Sequence, residues 1–526
     1  MSLRIPDLIA IILYTVGMLW LGWWSQRRIK GTEGYFVGGR SLPGWAVGMS
    51  ILATAISSVT FLAYPGSSFS GNWTRLVPGL MLPVATLIGV YFFVVFYRRT
   101  MFISAYEYFE RRYGNWGRSY ASIVFTLASI YRMGMILYLM ALPIRVFSGW
   151  NVLTVILFAG IVVTIYTVMG GLEAVIWTDV VQGIVLILGG LVTIGIIFLD
   201  VPGGPGEIIR QALAAHKFDL AVSFDANLVK ETFWVFVLQG LIGNIQEQAT
   251  DQTKVQRYQA AKTDRGAIGA ALTVLACIPV WAMFMFIGSC LWVYYHEFPG
   301  LLPEGVKADY VYPHFILTQM PPFLGGFVVA AVLAAAMSSI DSSMNGSAAV
   351  MLEDFYKRHF VKGKSDLHYL SVGRKITWVL GVLMMFVAYG LSLLEANTIL
   401  DIGFFIGSVM AGGLGGLFFI GFLFRYVNWQ GALVGLVSGV AVILWATLSH
   451  MGFVPEGYRL TVHPFLIGVV GNVTVFVVGL IASRFFPAPA PEKIAGMTWW
   501  TRERRPTAEV EAQMRAKREQ VVEEEG

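Results

Sequence analysis

One short stretch, residues 333–347 (LAAAMSSIDSSMNGS), sets a carboxylate and several hydroxyls between apolar flanks. On a helix, Ser338, Asp341 and Ser342 fall at positions i, i+3 and i+4 and therefore share one face. Asn345, at i+7, extends the same stripe. Serines in membrane helices often bond back to their own backbone carbonyls, but so many hydroxyls plus a carboxylate exceed what helix packing requires. Such oxygen donors suit a small hard cation, and we predict a site for Na⁺.

Other polar residues interrupt apolar segments elsewhere. The stretch ILATAISSVTF carries a serine and threonine cluster, Arg132 lies deep in its apolar run, and Asp179 stands within another. An unpaired charge at the bilayer centre costs about 3 kcal/mol or more, so we expect these groups to face the protein interior. For Arg132 the sequence leaves open either a functional role or a structural pair with an aspartate. Asp179 follows Gly171 by only eight residues. For this residue, a position at the membrane interface is the alternative to a functional position in the protein interior.

Catalytic motifs are missing from the sequence. The segment KGKSD is similar to a phosphate-binding loop, but Arg358 stands where that loop requires a glycine. The seven histidines form no HExxH pattern, and no nucleophile elbow occurs. Cys277 and Cys290 share one apolar run and are interpreted as reduced core residues. The sequence therefore argues against an enzyme.

The composition indicates the elements that must position these residues. The chain has 526 residues, of which 56% are hydrophobic and 13% charged, against about 25% charged in a soluble protein. Because roughly 20 apolar residues cross the hydrocarbon core, we predict an all-α polytopic membrane protein of about 13 transmembrane helices. The predicted windows lie near 5–25, 44–66, 77–97, 120–147, 151–169, 175–199, 232–248, 266–295, 322–352, 373–394, 398–424, 430–449 and 464–486.

The distribution of lysine and arginine predicts how the helices are oriented. Alternate loops are rich in basic residues, and the loops between them, such as 198–231 and 296–321, are poor in them. By the positive-inside rule the N-terminus lies outside and the C-terminus in the cytoplasm. We therefore expect a multi-pass protein of the inner, or plasma, membrane, with its first apolar run retained as a span. The polar tail is expected to form a short solvated helix over 502–525.

Two spans carry helix-breaking residues. The second contains Pro65-Gly66, and the seventh contains Gly240 and Gly243-Asn244. Broken helices line cavities in membranes, and they recur at matching positions in inverted-repeat transporters. These two spans are five apart, which predicts two five-helix repeats. The chain is then divided into a first helix and cytoplasmic loop (1–40), a first repeat (41–200), an extracellular loop (201–231), a second repeat (232–424), two C-terminal helices (425–486) and a cytoplasmic tail (487–526).

The chain resembles the sodium/solute symporter family, which includes bacterial sodium/galactose and sodium/sialic acid symporters. Four motifs carry the resemblance, each in the expected span. They are ILATAISSVTF, YTVMGGLEAVIWTDVVQ, DQTKVQRYQAAK and AAAMSSIDSSMNGS. The family implies a LeuT-like 5+5 inverted repeat that works by alternating access.

The resemblance also implies which residues bind Na⁺. The principal site would use Ala53, Ile56, Ala335, Ser338 and Ser339. A second site, present in some members, would use Asp179, Ser339, Asp341 and Ser342. Asp341 replaces a hydroxyl residue at its position in those members, which leaves open the Na⁺ stoichiometry and a role for H⁺.

The sialic acid branch implies a set of residues that bind the substrate. Arg132 matches an arginine that meets the substrate carboxylate, and its planar guanidinium suits an anion chemically. The other positions that match this branch are Ser57 and Thr60, and Asn244 matches an asparagine of the galactose branch. Two positions depart from the pattern, since Gly79 replaces a substrate-contacting glutamine of the sialic acid branch and Glu247 replaces the tyrosine that gates the sugar site in the galactose branch. Glu247 could repel an anion, or could bind Arg132 or a polyol.

The predicted function is therefore Na⁺-coupled symport of a small organic solute, with sialic acid or a similar carboxylated sugar favoured. The expected partners are the solute, Na⁺ and the lipid bilayer, with no nucleic acid, and the protein is expected to act as a monomer. A Na⁺/neutral sugar symporter is the alternative. A Na⁺-gated channel and a sensor are the alternatives from other classes of protein. The sequence shows no oligomeric pore motif, which argues against a channel. A sensor would need a long C-terminal kinase region, which the sequence does not show.

Overall fold

The computed structural model describes residues 4–26, 31–100, 102–221, 223–393 and 399–502. Most of the helix predicted over 502–525 lies outside these ranges. Within them the chain is helical, and the β contact is one isolated bridge between Leu42 and Ala261. The first part of the chain forms α1 Ile5–Gln26, α2 Thr32–Val37, α3 Gly44–Ala55, α4 Tyr64–Ser70, α5 Val77–Leu80, α6 Leu82–Gly89, α7 Val95–Thr100, α8 Glu107–Tyr113, α9 Asn115–Ser148, α10 Val152–Asp200 and α11 Gly204–Ala214.

The remaining helices follow the loop after α11. They are α12 Phe233–Thr250, α13 Gln252–Ala260, α14 Asp264–Thr273, α15 Cys277–Glu297, α16 Ala308–Thr318, α17 Leu324–Val350, α18 Asp366–Ser392, α19 Ile399–Met410, α20 Leu414–Leu423, α21 Trp429–His450, α22 Ile467–Ala482 and α23 Pro491–Ile494. Short π-helical segments at Val59–Ala63, Val90–Val94 and Met351–Phe360 extend α4, α7 and α17.

Ten helical segments of the described residues are long and apolar enough to cross a membrane, or up to eleven if the bent pair Gly44–Ala55 and Val59–Ser70 counts as one span. Two predicted windows account for the difference between eleven and thirteen. The window 151–169 corresponds to the first part of α10, Val152–Ile165, which is apolar but shorter than a span. The second corresponds to α12, whose last turns carry Asn, Gln and Glu side chains. Large apolar side chains such as Leu87 and Phe386 are exposed on the outer faces, as a lipid environment allows.

The helix that contains the polar stripe, α17, lies at the centre of the bundle. It packs against α10, α9, α1 and α18. From Ala334 to Val350 every residue of α17 is buried. The hydroxyls and the carboxylate of the stripe therefore face other helices and not lipid.

The second predicted span is broken, but at a different place from the one expected. α3 ends at Ala55, Ile56 takes an extended conformation, and the chain bends by 52° between the two halves. Pro65 lies within one helical stretch, Val59–Ser70, just after its π-helical segment, and does not break it. Gly66 serves close packing, because a Cβ there would lie 2.8 Å from the Ala308 carbonyl oxygen. The break over 56–58 therefore corrects the prediction at Pro65-Gly66.

The seventh span is not broken, which corrects the second such prediction. α12 runs continuously from Phe233 to Thr250. Gly240 is required because a side chain there would overlap the backbone of Pro78. Asn244 reinforces the same contact, since its Nδ2 donates to the Pro78 carbonyl oxygen at 2.9 Å. The two residues therefore hold α12 against α5, and Gly243 faces open space.

Asp7 fixes the first helix to the N-terminus of α17. Its buried carboxylate accepts hydrogen bonds from the backbone N–H groups of Phe323 (2.8 Å) and Gly326 (2.9 Å). Arg4 donates to Asp7 Oδ2 at 2.5 Å and to the Met320 carbonyl at 2.7 Å. A carboxylate is stabilised at a helix N-terminus by unpaired N–H groups and the helix dipole. The first span is therefore held by polar contacts as well as by apolar packing.

The segment after the last span returns to the bundle. The Trp499 N–H donates to the Phe422 carbonyl at 2.7 Å, and the Trp500 indole donates to the Leu423 carbonyl at 2.8 Å. The Trp499 ring lies 4.4 Å from the ring of Phe92, between centroids. We refer to residues 497–502 as the tail strap, which joins the span Trp73–Thr100 to α20.

Candidate functional site

The break after α3 meets the serines of α17. Ser338 Oγ donates to the carbonyl oxygens of Ala53 (3.0 Å) and Ala335 (3.2 Å). Ser339 Oγ donates to the Thr54 carbonyl at 2.8 Å. The last carbonyls of a helix lack partners within it, so the end of α3 presents oxygens here. Hydroxyl and carbonyl oxygens from two helices thus converge on one place.

Most residues predicted for the principal cation site are gathered at this place. Ala53, Ala335, Ser338 and Ser339 contact one another directly. Ile56 is buried at the break, and its N–H donates to the Ala53 carbonyl at 3.2 Å. Sequence reasoning missed the Thr54 carbonyl. Placing the end of the helix at Ala55 would have revealed it, because the preceding carbonyls then lose their partners.

A buried arginine lies among the residues predicted for the second cation site. The Arg257 side chain is only 1% exposed. Its guanidinium donates to Asp179 Oδ2 at 3.1 Å and to Ser342 Oγ at 2.6 Å. It also donates to Ser50 Oγ at 2.9 Å and to Thr54 Oγ1 at 2.8 Å.

The predicted second set is therefore only partly assembled. Asp179 and Ser342 meet through Arg257, and Ser342 Oγ lies 3.4 Å from Asp341 Oδ1. Ser339 points instead to the end of α3. Arg257 stands within the motif DQTKVQRYQAAK, but the sequence analysis did not predict it as a site residue. All residues of α13 except Lys254 are buried.

A cavity of about 330 Å³ adjoins the first cation site. Thr54 and Ser339 form part of its wall. All the residues predicted to bind substrate line it, namely Ser57, Thr60, Arg132, Asn244 and Glu247. A second cavity of about 350 Å³ shares Arg132 and Glu247 with the first and extends between α9, α12 and α19. The residues predicted to bind the cation and those predicted to bind the substrate are therefore neighbours. Thr54 and Ser339 lie between the oxygens at the end of α3 and the cavity.

The charged groups of the cavity pair differently from the prediction. Arg132 pairs with Asp251 at 3.4 Å, and Glu247 pairs with Lys254 at 2.8 Å. Of the alternatives left open for Glu247, a pair with Arg132 is therefore not seen among the ion pairs of the described residues. The Arg132 side chain is 37% exposed, which leaves its guanidinium accessible from the cavity.

Asp251 lies just beyond the end of α12. Burial alone would raise its pKa, but the Arg132 guanidinium and the Thr253 hydroxyl outweigh this effect and hold the pKa of Asp251 below the usual aspartate value. Asp251 is therefore held as an anion beside the Arg132 guanidinium.

The wall near Gly79 is filled by an aromatic ring. A Cβ at Gly79 would lie 2.6 Å from Cε3 of Trp281, so no side chain fits there while the indole keeps its place. Trp281 lines the cavity beside Gly79. The glutamine expected at position 79 is thus replaced by an indole face from α15.

A membrane-spanning bundle in which hydroxyl and carbonyl oxygens converge at a broken helix, next to a cavity with an accessible guanidinium, is typical of a cation-coupled membrane transport protein. The sodium:solute symporter family model matches residues 35–439, and the chain belongs to this family.

Relatives of this chain include two bacterial symporters. It is 32% identical to the sodium/sialic acid symporter NanT of Aliivibrio fischeri, over 91% of this chain and 93% of that protein. It is 34% identical to the sodium/sialic acid symporter SiaT of Proteus mirabilis, over 91% and 95%.

Solved structures of two transporters are also similar to this chain. A Na⁺-coupled sialic acid symporter in a substrate-bound outward-open state matches with a TM-score of 0.85 and 32% identity, over 92% of this chain and 99% of that one. A nucleobase-cation-symport-1 family transporter, 16% identical with a TM-score of 0.55, is similar in fold alone.

Proposed function

We propose that this protein is a secondary active transporter that couples inward movement of Na⁺ to uptake of a small carboxylated solute, with sialic acid or a similar sugar acid favoured. The observation that carries the proposal is the shared wall at Thr54 and Ser339. These residues contribute to both the oxygen cluster at the end of α3 and the cavity that contains Arg132. The sodium/sialic acid symporters among the relatives support this choice of solute.

The shared wall gives a physical route to coupling. Ser338 and Ser339 of α17 and the carbonyls of Ala53 and Thr54 would bind Na⁺ together, which would hold the broken helix against α17. The same contact would fix the cavity wall formed by Ser57 and the start of the helical segment after the break, Val59 and Thr60. Because each ligand then favours the same arrangement, binding of one raises the affinity for the other.

The architecture belongs to the same proposal. We take the eleven apolar spans, with the bent pair counted as one, together with α12 and the segment Val152–Ile165 of α10 as thirteen transmembrane helices. They are arranged as two inverted repeats of five, within the six segments given above. The N-terminus lies outside, the C-terminus lies in the cytoplasm, and the protein acts as a monomer. The distribution of basic residues supports the orientation.

Uptake by proteoliposomes tests the coupling to sodium. Accumulation of labelled sialic acid should require an inward Na⁺ gradient and disappear when choline replaces Na⁺. Ser339→Ala removes one oxygen donor and should raise the Na⁺ concentration for half-maximal uptake by roughly tenfold or more. Ser438→Ala, on α21 outside the cavity wall, is the matched control. Equal uptake in choline would contradict the proposal.

Arg132 tests the class of solute. Arg132→Ala leaves no guanidinium for the carboxylate, and loss of a charged hydrogen bond of about 1.5–3 kcal/mol should weaken sialic acid binding by at least tenfold. Arg210→Ala, with a side chain 73% exposed on α11, is the control. If Arg132→Ala keeps sialic acid binding, or if galactose competes equally well with sialic acid in the wild type, the neutral sugar alternative is favoured.

A further inference from the structure

The second cavity, of about 350 Å³, is joined to the first through a shared wall. Arg132, Gln239 and Gly243 line both cavities. From this wall the second cavity extends between α9, α12, α19 and α22. We call this extension the side chamber, and it is lined by Phe125, Ile242, Gly407, Leu414 and Val469. None of these five belongs to the residues predicted to bind the solute.

The wall of the side chamber is mainly apolar, because its polar groups bond to one another or to the backbone. The Gln246 amide accepts from Asn472 Nδ2 at 2.8 Å and donates to the Ala411 carbonyl at 3.3 Å. Ser408 Oγ donates to the Phe465 carbonyl at 2.7 Å. Since these groups have partners within the protein, the surface left for a ligand is chiefly that of phenyl and alkyl side chains.

Arg132 supplies a charged group beside this apolar wall. Its Nη1 pairs with Asp251 at 3.4 Å, whereas its Nε is buried and has no hydrogen-bond partner within the described part of the chain. The edge of a guanidinium that carries Nε and Nη2 can bind a carboxylate through two parallel hydrogen bonds. Ser129, one turn earlier on α9, also lines the second cavity, and its buried Oγ lacks a partner among the described residues. Unsatisfied donors therefore lie where the two cavities meet.

We propose that the side chamber binds the apolar group of an amphipathic carboxylate, whose carboxylate is held by the Nε edge of Arg132. A volume of about 350 Å³ is typical of small-molecule sites, which are mostly apolar with a few placed polar groups. A phenyl or alkyl group joined to a carboxylate by a short chain matches this chemistry. A sugar ring in the side chamber would instead leave water and find few partners for its hydroxyls, which is costly.

The proposal rests on the proposed function and deepens it, since Arg132 also binds the carboxylated sugar there. Two carboxylates cannot hold the same edge of one guanidinium, so an amphipathic carboxylate competes with the sugar acid. Specificity is then set by two cavities around one cation. The first offers the hydroxyls of Ser57 and Thr60, and the second offers apolar surface.

Gly407 of α19 allows the side chamber to be filled by mutation. A Cβ at this position would meet no other atom within 4 Å, so a valine side chain can be accommodated and would occupy space in the chamber. Gly195 of α10 has equally open surroundings at a distant place in the fold. Gly195→Val is therefore the matched control for Gly407→Val.

The experiment measures ligand binding by isothermal titration calorimetry on the full-length protein in nanodiscs with Na⁺ present. The probe is hydrocinnamate, a carboxylate joined to a phenyl ring by a short alkyl chain. The wild type should bind it about tenfold or more tightly than acetate, which lacks the ring, or hydrocinnamyl alcohol, which lacks the charge. Sialic acid should compete with it, and Arg132→Ala should weaken both ligands.

The two glycine variants separate the side chamber from the first cavity. Gly407→Val should weaken hydrocinnamate binding about tenfold and leave the affinity for sialic acid within about twofold of the wild type. Gly195→Val should bind both ligands as the wild type does. An unchanged Tm of Gly407→Val checks that this variant is folded.

Three results would overturn the side chamber as a binding site. They are the absence of saturable hydrocinnamate binding in the wild type, as expected if a lipid acyl chain fills the chamber, equal hydrocinnamate affinity in Gly407→Val and the wild type, and an equal loss of both ligands in Gly407→Val. Hydrocinnamate binding that survives Arg132→Ala would overturn the assigned carboxylate contact. If the wild type binds hydrocinnamate as expected but shows no Na⁺-dependent uptake of sialic acid, the proposed function alone is overturned.

Discussion

At the scale of single residues, Arg257 organises the polar centre of the bundle. It links α13 to α3, α10 and α17 through side-chain acceptors on each of them. A buried ion pair contributes little net stability when it is complete, because desolvation offsets the attraction. Breaking it is costly, since the remaining charge stays buried without its partner.

Replacing Arg257 tests this role. Arg257→Gln should lower the free energy of unfolding by about 3–5 kcal/mol, because Asp179 is left as an uncompensated buried anion. Thermal denaturation in detergent measures the loss as a decrease in Tm. The double variant Arg257→Gln/Asp179→Asn should recover much of the lost Tm. In the exposed Arg210–Glu207 pair, Arg210→Gln should cost less than about 1 kcal/mol. Equal effects at the two arginines would contradict this account.

Part of the candidate site could be predicted from the sequence. Residues on one helical face or in one continuous stretch were predictable, because periodicity alone places Ser338 and Ser342 on the same side of α17. Contacts between distant segments were not predictable. Nothing in the sequence around Arg257 indicates that its guanidinium reaches Asp179, or that Lys254 and not Arg132 pairs with Glu247.

At the scale of elements, an ion-pair cluster joins α8, α9 and the π-helical end of α17. Glu110 of α8 accepts from Arg118 and Arg358, each at 2.7 Å. Arg118 also donates from Nε to Asp354 at 2.7 Å, and Ser104 donates to the same carboxylate at 2.8 Å. These contacts hold the start of α9 against the end of the central helix.

The pKa of Glu110 gives this cluster a pH dependence. Partial burial works to raise that pKa, but hydrogen bonds and charge from Arg118 and Arg358 lower it below the ordinary value of 4.5. A depressed carboxyl pKa adds stability above pH 4.5, and this contribution is lost as the pH falls through the folded-state pKa. Glu110→Gln should therefore have a lower Tm than wild type at pH 7, and the difference should shrink below about pH 4.5.

The control for this measurement is Glu456→Gln, because that side chain is 90% exposed. Its Tm should follow the wild type at every pH. If the Tm difference between Glu110→Gln and the wild type persists unchanged to pH 3, the packing of the Glu110 side chain, and not its charge, accounts for the stabilisation.

Most elements were predictable because twenty apolar residues in a row can form little else than a span. The break in the second span was misplaced because proline and glycine have two roles that the sequence does not distinguish. Pro65 is accommodated within the helical stretch Val59–Ser70, and Gly66 and Gly240 accommodate neighbouring backbones. The real break, at Ile56, contains no proline or glycine, and tertiary contacts with α17 stabilise it.

At the scale of the whole molecule, the tail strap connects parts of the chain that are distant in sequence. Its residues Met497 and Thr498 are buried, and Trp499 packs against Tyr91 and Phe92 of the span Trp73–Thr100. The strap therefore restrains this span relative to α20, which lies in the other proposed half of the molecule.

Removing the central ring of the strap tests its contribution. Trp499→Ala should destabilise the protein by about 1.5–3 kcal/mol, the value for burial of one large apolar side chain. Limited proteolysis should then cut the chain after α22 faster than in the wild type. Trp378→Ala on α18, where the ring is 43% exposed, should have little effect on either measurement. Similar proteolysis of all three proteins would mean that the strap does not restrain the chain.

The attachment of Asp7 to residues 323 and 326 also has a consequence for biosynthesis. At about 5–20 residues per second, the ribosome needs roughly 15–60 s to make the segment between these positions. During that interval the first helix resides in the bilayer without the N–H donors of its Asp7 carboxylate. Arg4 is then the neighbour that can neutralise Asp7, through their local pair. The first helix is thus synthesised first but can pack against α17 only after that helix has been synthesised. Until then, its insertion cannot guide the packing of the later helices.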